Sequence, residues 1–201
     1  MRHLDTDQHW PAPGRRPGRA LLALNAFTLV ELLVVMTIGA ILLAAAVPDF
    51  RATLERFTVR AAAADLLAAL HLARSQAIEL GETIVVAPAD AAGASWQDGW
   101  TVFADADGDG RPGPGERVLF RHGPLADGLR VRPRLTLAAP PWYVAYNSAG
   151  RSCRAGNNLA ANWGTLTLQL GSTQRNITIN MLGRARLCDP ARDSACEAVG
   201  E

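Results

Sequence analysis

Residues 26–50 read AFTLVELLVVMTIGAILLAAAVPDF, and the fold turns on this stretch. From Phe27 to Val47 it runs 21 residues with a single charge, Glu31. As a helix such a run is about 30 Å long, the thickness of a bilayer's hydrocarbon core. The expectation is a transmembrane helix over 27–47. A secretory signal peptide has a shorter apolar core and carries its small cleavage residue after that core. Here the small residue, Ala26, precedes the run. Residues 1–26 hold Arg15, Arg16 and Arg19 without a sustained apolar segment and read as a charged leader. Cleavage after Ala26 would leave Phe27 as the new N-terminus of a hydrophobic helix.

That order gives Glu31 a role. A carboxylate in the bilayer interior costs about 2.5–3.5 kcal/mol on insertion scales and normally has a partner. Cleavage supplies one, the free amine of Phe27, one helical turn away or on an adjacent copy. An ion pair buried in a helical bundle sets axial register between subunits. Glu31 is therefore expected to encode assembly.

The helical period continues beyond Pro48. Val59, Ala63, Leu66, Leu70, Ala73, Ala77 and Leu80 recur at three- and four-residue steps and form one apolar stripe. Pro48 removes a backbone hydrogen bond and is expected to kink the helix. Gly81 is a suitable C-cap. The amphipathic part of the helix is expected over 48–81. The period then shortens into β-like runs at Thr83–Ala87, Trp100–Ala104, Arg117–Arg121, Leu129–Leu137, Trp142–Tyr146, Thr165–Leu170, Asn176–Met181 and Arg184–Cys188. No helix-length segment separates them, so residues 82–201 are expected to form a mainly antiparallel β-rich head. The fold class is α+β, a long N-terminal helix packed on one sheet.

Charge is distributed unevenly. All 20 basic residues are Arg. Residues 49–116 hold 11 acids and 5 arginines, a balance of −6; residues 117–187 hold 10 arginines and one acid, Asp127, a balance of +9. A basic half suits an anionic partner. Wholesale replacement of Lys by Arg is an equally good compositional explanation.

FTLVELL, after a charged leader and before a long apolar helix, closely resembles the class III signal of type IV prepilins and pseudopilins. The resemblance implies cleavage between Ala26 and Phe27 by a prepilin peptidase, methylation of the new amine, and Glu31 as the assembly glutamate. It matches Pro48 to the family's kinking proline. One departure is Ala26, where the family normally has Gly. The run AAAADLLAALHLARSQAIELGE, the turn Trp96–Trp100 and the Asp/Gly-rich loop ending at Glu116 resemble the FimT/GspH-type minor pseudopilins in particular. The implied location is the bacterial inner membrane, with the head in the periplasm, followed by incorporation into a filament of other pilins.

Several residues invite chemistry. Asp105, Asp107, Asp109, Gly110 and Glu116 have the spacing of a calcium loop. Pro112 at the eighth position, strand-like flanks and the turn composition of GRPGPG favour a solvated hairpin, with adventitious or weak calcium as the alternative, and no metal or other cofactor is expected. Cys153, Cys188 and Cys196 would meet an oxidising compartment. Cys188–Cys196 closes the shorter loop and is preferred; Cys153–Cys188 remains open. In LGRARLC, residues 182–188, Arg184 and Arg186 lie two apart on a strand and so point to one side. That arrangement suits phosphate oxygens, or an edge strand that resists aggregation. GRAR resembles the GRxR motif of FimT proteins that bind DNA in natural transformation. On that resemblance Gly183, Arg184 and Arg186 are carried over as DNA-contacting, with Arg175, Arg151 and Arg154 added from charge. Trp96, Trp100, Trp142 and Trp163 read as core or turn anchors. No nucleophile–base pair, phosphate-cradling loop or catalytic carboxylate pair is evident, so no enzyme is expected.

The functional expectation is a FimT-like minor pilin that binds DNA non-specifically through its C-terminal arginines. Its rival is a GspH-type pseudopilin of a type II secretion system, structural and without DNA binding. N-terminal sequencing of protein purified from its native membrane should begin at Phe27. Glu31→Ala should block incorporation into filaments, as read by shear-fraction immunoblotting.

Overall fold

The computed structural model describes residues 27–196, with only the backbone for residues 45–49. The leader 1–26, Ala26 within it, and residues 197–201 lie outside the described residues. The chain divides into two compact units, Met1–Ala44 and Ala45–Glu201.

One helix, α1 (Leu29–Leu80), accounts for 52 residues. Its start is chemically defined. The Thr28 hydroxyl accepts the Glu31 amide at 3.2 Å, so Thr28 is the N-cap and Glu31 the third helical residue. Threonine followed three residues later by glutamate is a capping-box sequence, and the glutamate's charge favours the helix N-terminus. The bond comes from the Glu31 backbone amide, so the local use of its side chain is its negative charge at the helix N-terminus. Pro48 lies inside α1, its side chain outside the described residues. Among the described residues no helix is long and apolar enough to cross a membrane; the expected span at 27–47 runs into residues 45–49. The helix stops at Gly81, which adopts φ +71° and donates its amide to the Ala77 carbonyl at 3.1 Å. This is the αL cap that a Cβ would disfavour.

The nine strands among the described residues form two sheets, where the sequence leads one to expect a single sheet. The first has the order β3 (Val118–His122), β2 (Trp100–Ala104), β1 (Ile84–Pro88), β5 (Val144–Tyr146), β6 (Ser152–Cys153). The second has the order β4 (Arg130–Leu135), β7 (Gly164–Leu170), β8 (Thr173–Ile179), β9 (Ala185–Cys188). Every strand pairing is antiparallel. The chain leaves the first sheet after β3, starts the second with β4, and returns for β5 and β6. Apolar periodicity reports which residues are buried but not which strand lies next to which, so this exchange was invisible in the sequence.

The helical stripe holds both sheets. Val59, Ala63, Leu66, Leu70, Ala73 and Ala77 are fully buried. They share one cluster with Ile84 and Val86 of β1, Trp100 and Val102 of β2, Leu166 and Leu168 of β7, and Ile177 and Ile179 of β8. The alternate residues of the first sheet, Val85, Ala87, Phe103 and Ala145, form a second cluster with Tyr143 and Cys153. The inner strands β1, β2 and β5 are therefore buried on both faces, whereas the edge strand β3 is largely exposed; this is why β1 and β2 are almost wholly apolar.

Truncating a core leucine beneath the sheets leaves a cavity that costs about 2–5 kcal/mol. Leu66→Ala and Leu70→Ala should each show a loss of that size in urea denaturation. Leu54→Ala, at a position half exposed on the same helix, should change stability by no more than about 0.5 kcal/mol.

Candidate nucleic-acid interface

The β8–β9 hairpin closes over residues 180–184, Asn-Met-Leu-Gly-Arg. Asn180 organises it. Its amide donates to the Arg184 carbonyl at 3.1 Å, and its carbonyl accepts the Gly183 amide at 2.9 Å. Its side-chain oxygen accepts the Leu182 amide at 3.0 Å and the Arg184 amide at 2.9 Å. Asparagine suits this position because its side chain can replace a backbone acceptor in a turn.

The β5–β6 connection, residues 147–151, is Asn-Ser-Ala-Gly-Arg and repeats the same bonds. The Asn147 amide donates to the Arg151 carbonyl at 3.0 Å, and its carbonyl accepts the Gly150 amide at 2.7 Å. Its side-chain oxygen accepts the Ala149 and Arg151 amides at 3.1 and 3.0 Å. Gly150 and Gly183 both sit in the left-handed region, at φ +66° and +76°.

The two Asn-x-x-Gly-Arg turns lie against each other. A Cβ on Gly183 would stand 2.3 Å from the Gly150 carbonyl oxygen and 3.1 Å from the Ser152 nitrogen. Gly183 is consequently buried, and its place in GRAR is explained by turn packing. Arg74 of α1 joins the turns, donating through Nε to the Gly150 carbonyl at 2.9 Å and through a terminal nitrogen to the Leu182 carbonyl at 3.3 Å. Arg151 and Arg184, the final residues of the two turns, are exposed. Neither side chain has a hydrogen bond or ion pair among the described residues.

Other arginines are distributed differently. Arg186 lies two residues beyond Arg184, and exposure alternates along the strand so that both are outward. It contacts Asp193 at 3.3 Å and the Ala195 carbonyl at 3.1 Å. That ion pair is half exposed, so it competes weakly with an anionic ligand. Strand register places Arg134, Thr165, Thr178 and Arg186 in one cross-strand row, with Arg132 in the next row on the same face. Arg130, Arg132 and Arg134 are all exposed. The alternation R-x-R-x-R at 130–134 marked these residues, but the sequence reading took only the overall charge from them.

Arg175 belongs elsewhere. It is paired with Asp189 at 3.0 Å and is mostly buried. It lines a cleft of about 540 Å³ with Arg56, Arg60 and Arg192. Arg154 is exposed and donates to the Thr136 carbonyl at 3.4 Å. The six sequence-selected residues therefore do not form one patch: the backbones that carry Gly183–Arg184 and Arg151 abut, Arg186 follows along β9, and Arg175 and Arg154 are held by separate partners.

A disulfide joins Cys188 and Cys196, and it anchors the loop that supplies Asp193 and Ala195 to Arg186. Cys153 is a free thiol, fully buried in the second cluster. Burial, with a smaller contribution from Asp105, pushes it up to about 11. Burial also pushes Tyr146 up, against the nearby charge of Arg74. Asp105 is buried and is raised to about 6. Desolvation is the main cause, with repulsion from Glu116 and Asp107 added, against stabilising bonds from the Gly110 and Gly108 amides.

A long N-terminal helix whose C-terminal half packs against an antiparallel β-rich head, with an N-terminal methylation motif, defines a type IV pilin-like minor pseudopilin. The chain belongs to the family described as type II transport protein GspH, whose model matches residues 62–183. The prokaryotic N-terminal methylation motif matches residues 25–47. Among solved structures, the chain is similar to the type IV minor pilin FimU of Pseudomonas aeruginosa (20% identity, 68% of this chain and 92% of that one, TM-score 0.48). It is also similar to the minor pseudopilin EpsH from the type 2 secretion system of Vibrio cholerae (18% identity, 66% and 98%, TM-score 0.44). Among curated proteins none matches the chain.

The turns yield a direct test. Gly183→Ala forces a Cβ into the Gly150 carbonyl at a left-handed backbone position, where the conformational penalty alone is about 1–2 kcal/mol. It should destabilise the protein by at least that much in chemical denaturation. Arg184→Gln, at an exposed neighbour, should leave stability unchanged within about 0.5 kcal/mol.

Proposed function

We propose that this protein is a FimT-like minor pilin whose head holds DNA by its phosphate backbone during uptake. The observation that carries the reading is the pair of abutting Asn-x-x-Gly-Arg turns. They bring the exposed, unengaged Arg151 and Arg184 onto neighbouring backbone positions, with Arg186 next along the strand. Guanidinium groups are weakly hydrated and fork-shaped, and they match phosphate oxygens well. Each turn is fixed by its asparagine, so the backbone of each arginine is ordered before any ligand arrives. Arg132 and Arg134 are exposed on the same sheet face but are separated from Arg186 by the buried Thr165 and Thr178. Phosphate contacts carry no base information, so binding is sequence-independent.

The N-terminal half serves assembly. The methylation-motif match supports cleavage by a prepilin peptidase before Phe27 and retention in the inner membrane until the subunit joins a filament. Glu31 neutralises the new amine, its own or a neighbour's. Phe50, Leu54 and Phe57 recur at steps of four and three along α1 and are exposed, offering an apolar seam to neighbouring pilin helices.

The family description favours a second reading, a GspH-type pseudopilin of a type II secretion system whose head meets other pseudopilins and no nucleic acid. A binding measurement separates the two. Full-length protein in detergent is titrated against fluorescent duplex DNA at several salt concentrations. With two to four phosphates engaged, log affinity should fall against log salt with a slope of about −2 to −4. Arg184→Gln with Arg186→Gln should abolish measurable binding without shifting the thermal midpoint, and Arg151→Gln should weaken it several-fold. Unchanged binding by the double variant refutes the site, and absence of salt-sensitive binding by the wild type leaves the secretion reading standing.

A further inference from the structure

The β2–β3 connection is a second locus of unusual chemistry, independent of the arginine surface. Asp105, Asp107 and Asp109 each place a carboxylate oxygen within 4.8 Å of the other two. Two oxygens that share a calcium ion at about 2.3–2.6 Å can be no more than about 5 Å apart. Asp105 is the anchor. Its residue is only 8% exposed. One carboxylate oxygen accepts the Gly108 and Gly110 amides at 3.2 and 3.4 Å. The other is buried with no hydrogen-bond partner among the described residues. A buried carboxylate oxygen without a donor is costly unless something positive meets it.

We propose that Asp105, Asp107 and Asp109 form a calcium-binding loop, with one carboxylate oxygen from each on the ion. The surrounding chain is arranged for it. Gly110, sixth in the loop, takes φ +74°, and a Cβ there would stand 2.6 Å from the Tyr143 ring. The loop thus turns sharply at the position where a twelve-residue calcium loop requires glycine. The Asp109 amide donates to Asp107 at 3.2 Å and the Arg111 amide to Asp109 at 2.7 Å, which orients the two exposed carboxylates. Glu116, twelfth in the loop, accepts the Ala106 amide at 3.0 Å and the Gly113 amide at 2.7 Å. It closes the loop as a brace and leaves direct ligation to the aspartates and water.

The loop's only internal cation, Arg111, is outnumbered by four acids, and Arg117 at its end is drawn to Glu82 at 2.7 Å. Calcium suits this set better than magnesium, which demands a tighter octahedron and gives up water reluctantly. Strands flank the loop, so the ion would pin the β2–β3 connection onto Tyr143 and Gly156. A Cβ on Gly108 would stand 2.7 Å from the Gly156 Cα, which shows how closely those segments pack.

The test uses the full-length protein in detergent, stripped with chelator and titrated calorimetrically with calcium chloride and, separately, magnesium chloride. One calcium site with a dissociation constant of about 10⁻⁴–10⁻³ M is expected, the range of extracellular calcium modules, with a rise in thermal midpoint on saturation. Asp107→Asn with Asp109→Asn removes two exposed carboxylates, so the variant should keep its chelator-state midpoint while losing at least tenfold in calcium affinity. Absence of binding heat and midpoint shift up to about 10 mM calcium overturns the proposal. So does equal calcium affinity in the double variant, or magnesium binding as tight as calcium.

Discussion

The contact between one face of α1 and two separate sheets is the constraint on which the head depends. Each sheet has an apolar face that cannot be left in water, and the chain supplies a single stripe to cover both. The stripe is rich in alanine: Ala62, Ala63, Ala69, Ala73 and Ala77 are buried beside Val59, Leu66 and Leu70. Small side chains let the strands approach the helix closely, and the larger residues fill the space between the sheets. Burying each leucine contributes about 1.5–3 kcal/mol, so the interface dominates the favourable side of folding. It also positions the functional surface, because Arg74 projects from the same helix to bond both arginine-bearing turns.

What distinguishes the arginines from one another is what each has already engaged. Arg175 is largely desolvated against Asp189, and removing it would leave that mostly buried carboxylate only the longer contact to the exposed Arg192 at 3.8 Å. Arg186 shares an exposed carboxylate that water and salt already weaken. Arg151 and Arg184 begin in water and give up only hydration and rotamer freedom to meet a phosphate. Charge alone cannot rank these residues, whereas their existing partners do.

The acidic and basic ends of the head follow the same logic with opposite sign. Three aspartates converge because amides of their own loop bind them, and the fold buries one of them without a counter-charge. Two turns converge because Gly183, with its left-handed backbone, lacks the Cβ that would strike the Gly150 carbonyl. In each case backbone geometry brings like charges together, and the proposed ligands of opposite charge would relieve the repulsion.

Much of this was legible in local patterns. The FTLVELL signal was legible through its resemblance to prepilin signals, whereas the stripe from Val59 to Ala77, the cap at Gly81 and eight of the nine described strands follow from spacing and turn chemistry, which act within a few residues. The two-residue strand β6 was missed because so short a run has no period. The Asn-x-x-Gly-Arg repeat at 147–151 and 180–184 was present in the sequence, but nothing local says that the two copies touch. Sequence by itself determined a long helix with an amphipathic stripe, a β-rich head and a lopsided distribution of charge. Tertiary structure alone decided that the strands divide into two sheets, that Gly183 is buried under Gly150, and which arginines remain unpaired. The reason is physical: helix caps, periods and turns are set by neighbours along the chain, whereas strand partners, burial of a charge and the competition for its counter-ion are set by residues distant in sequence.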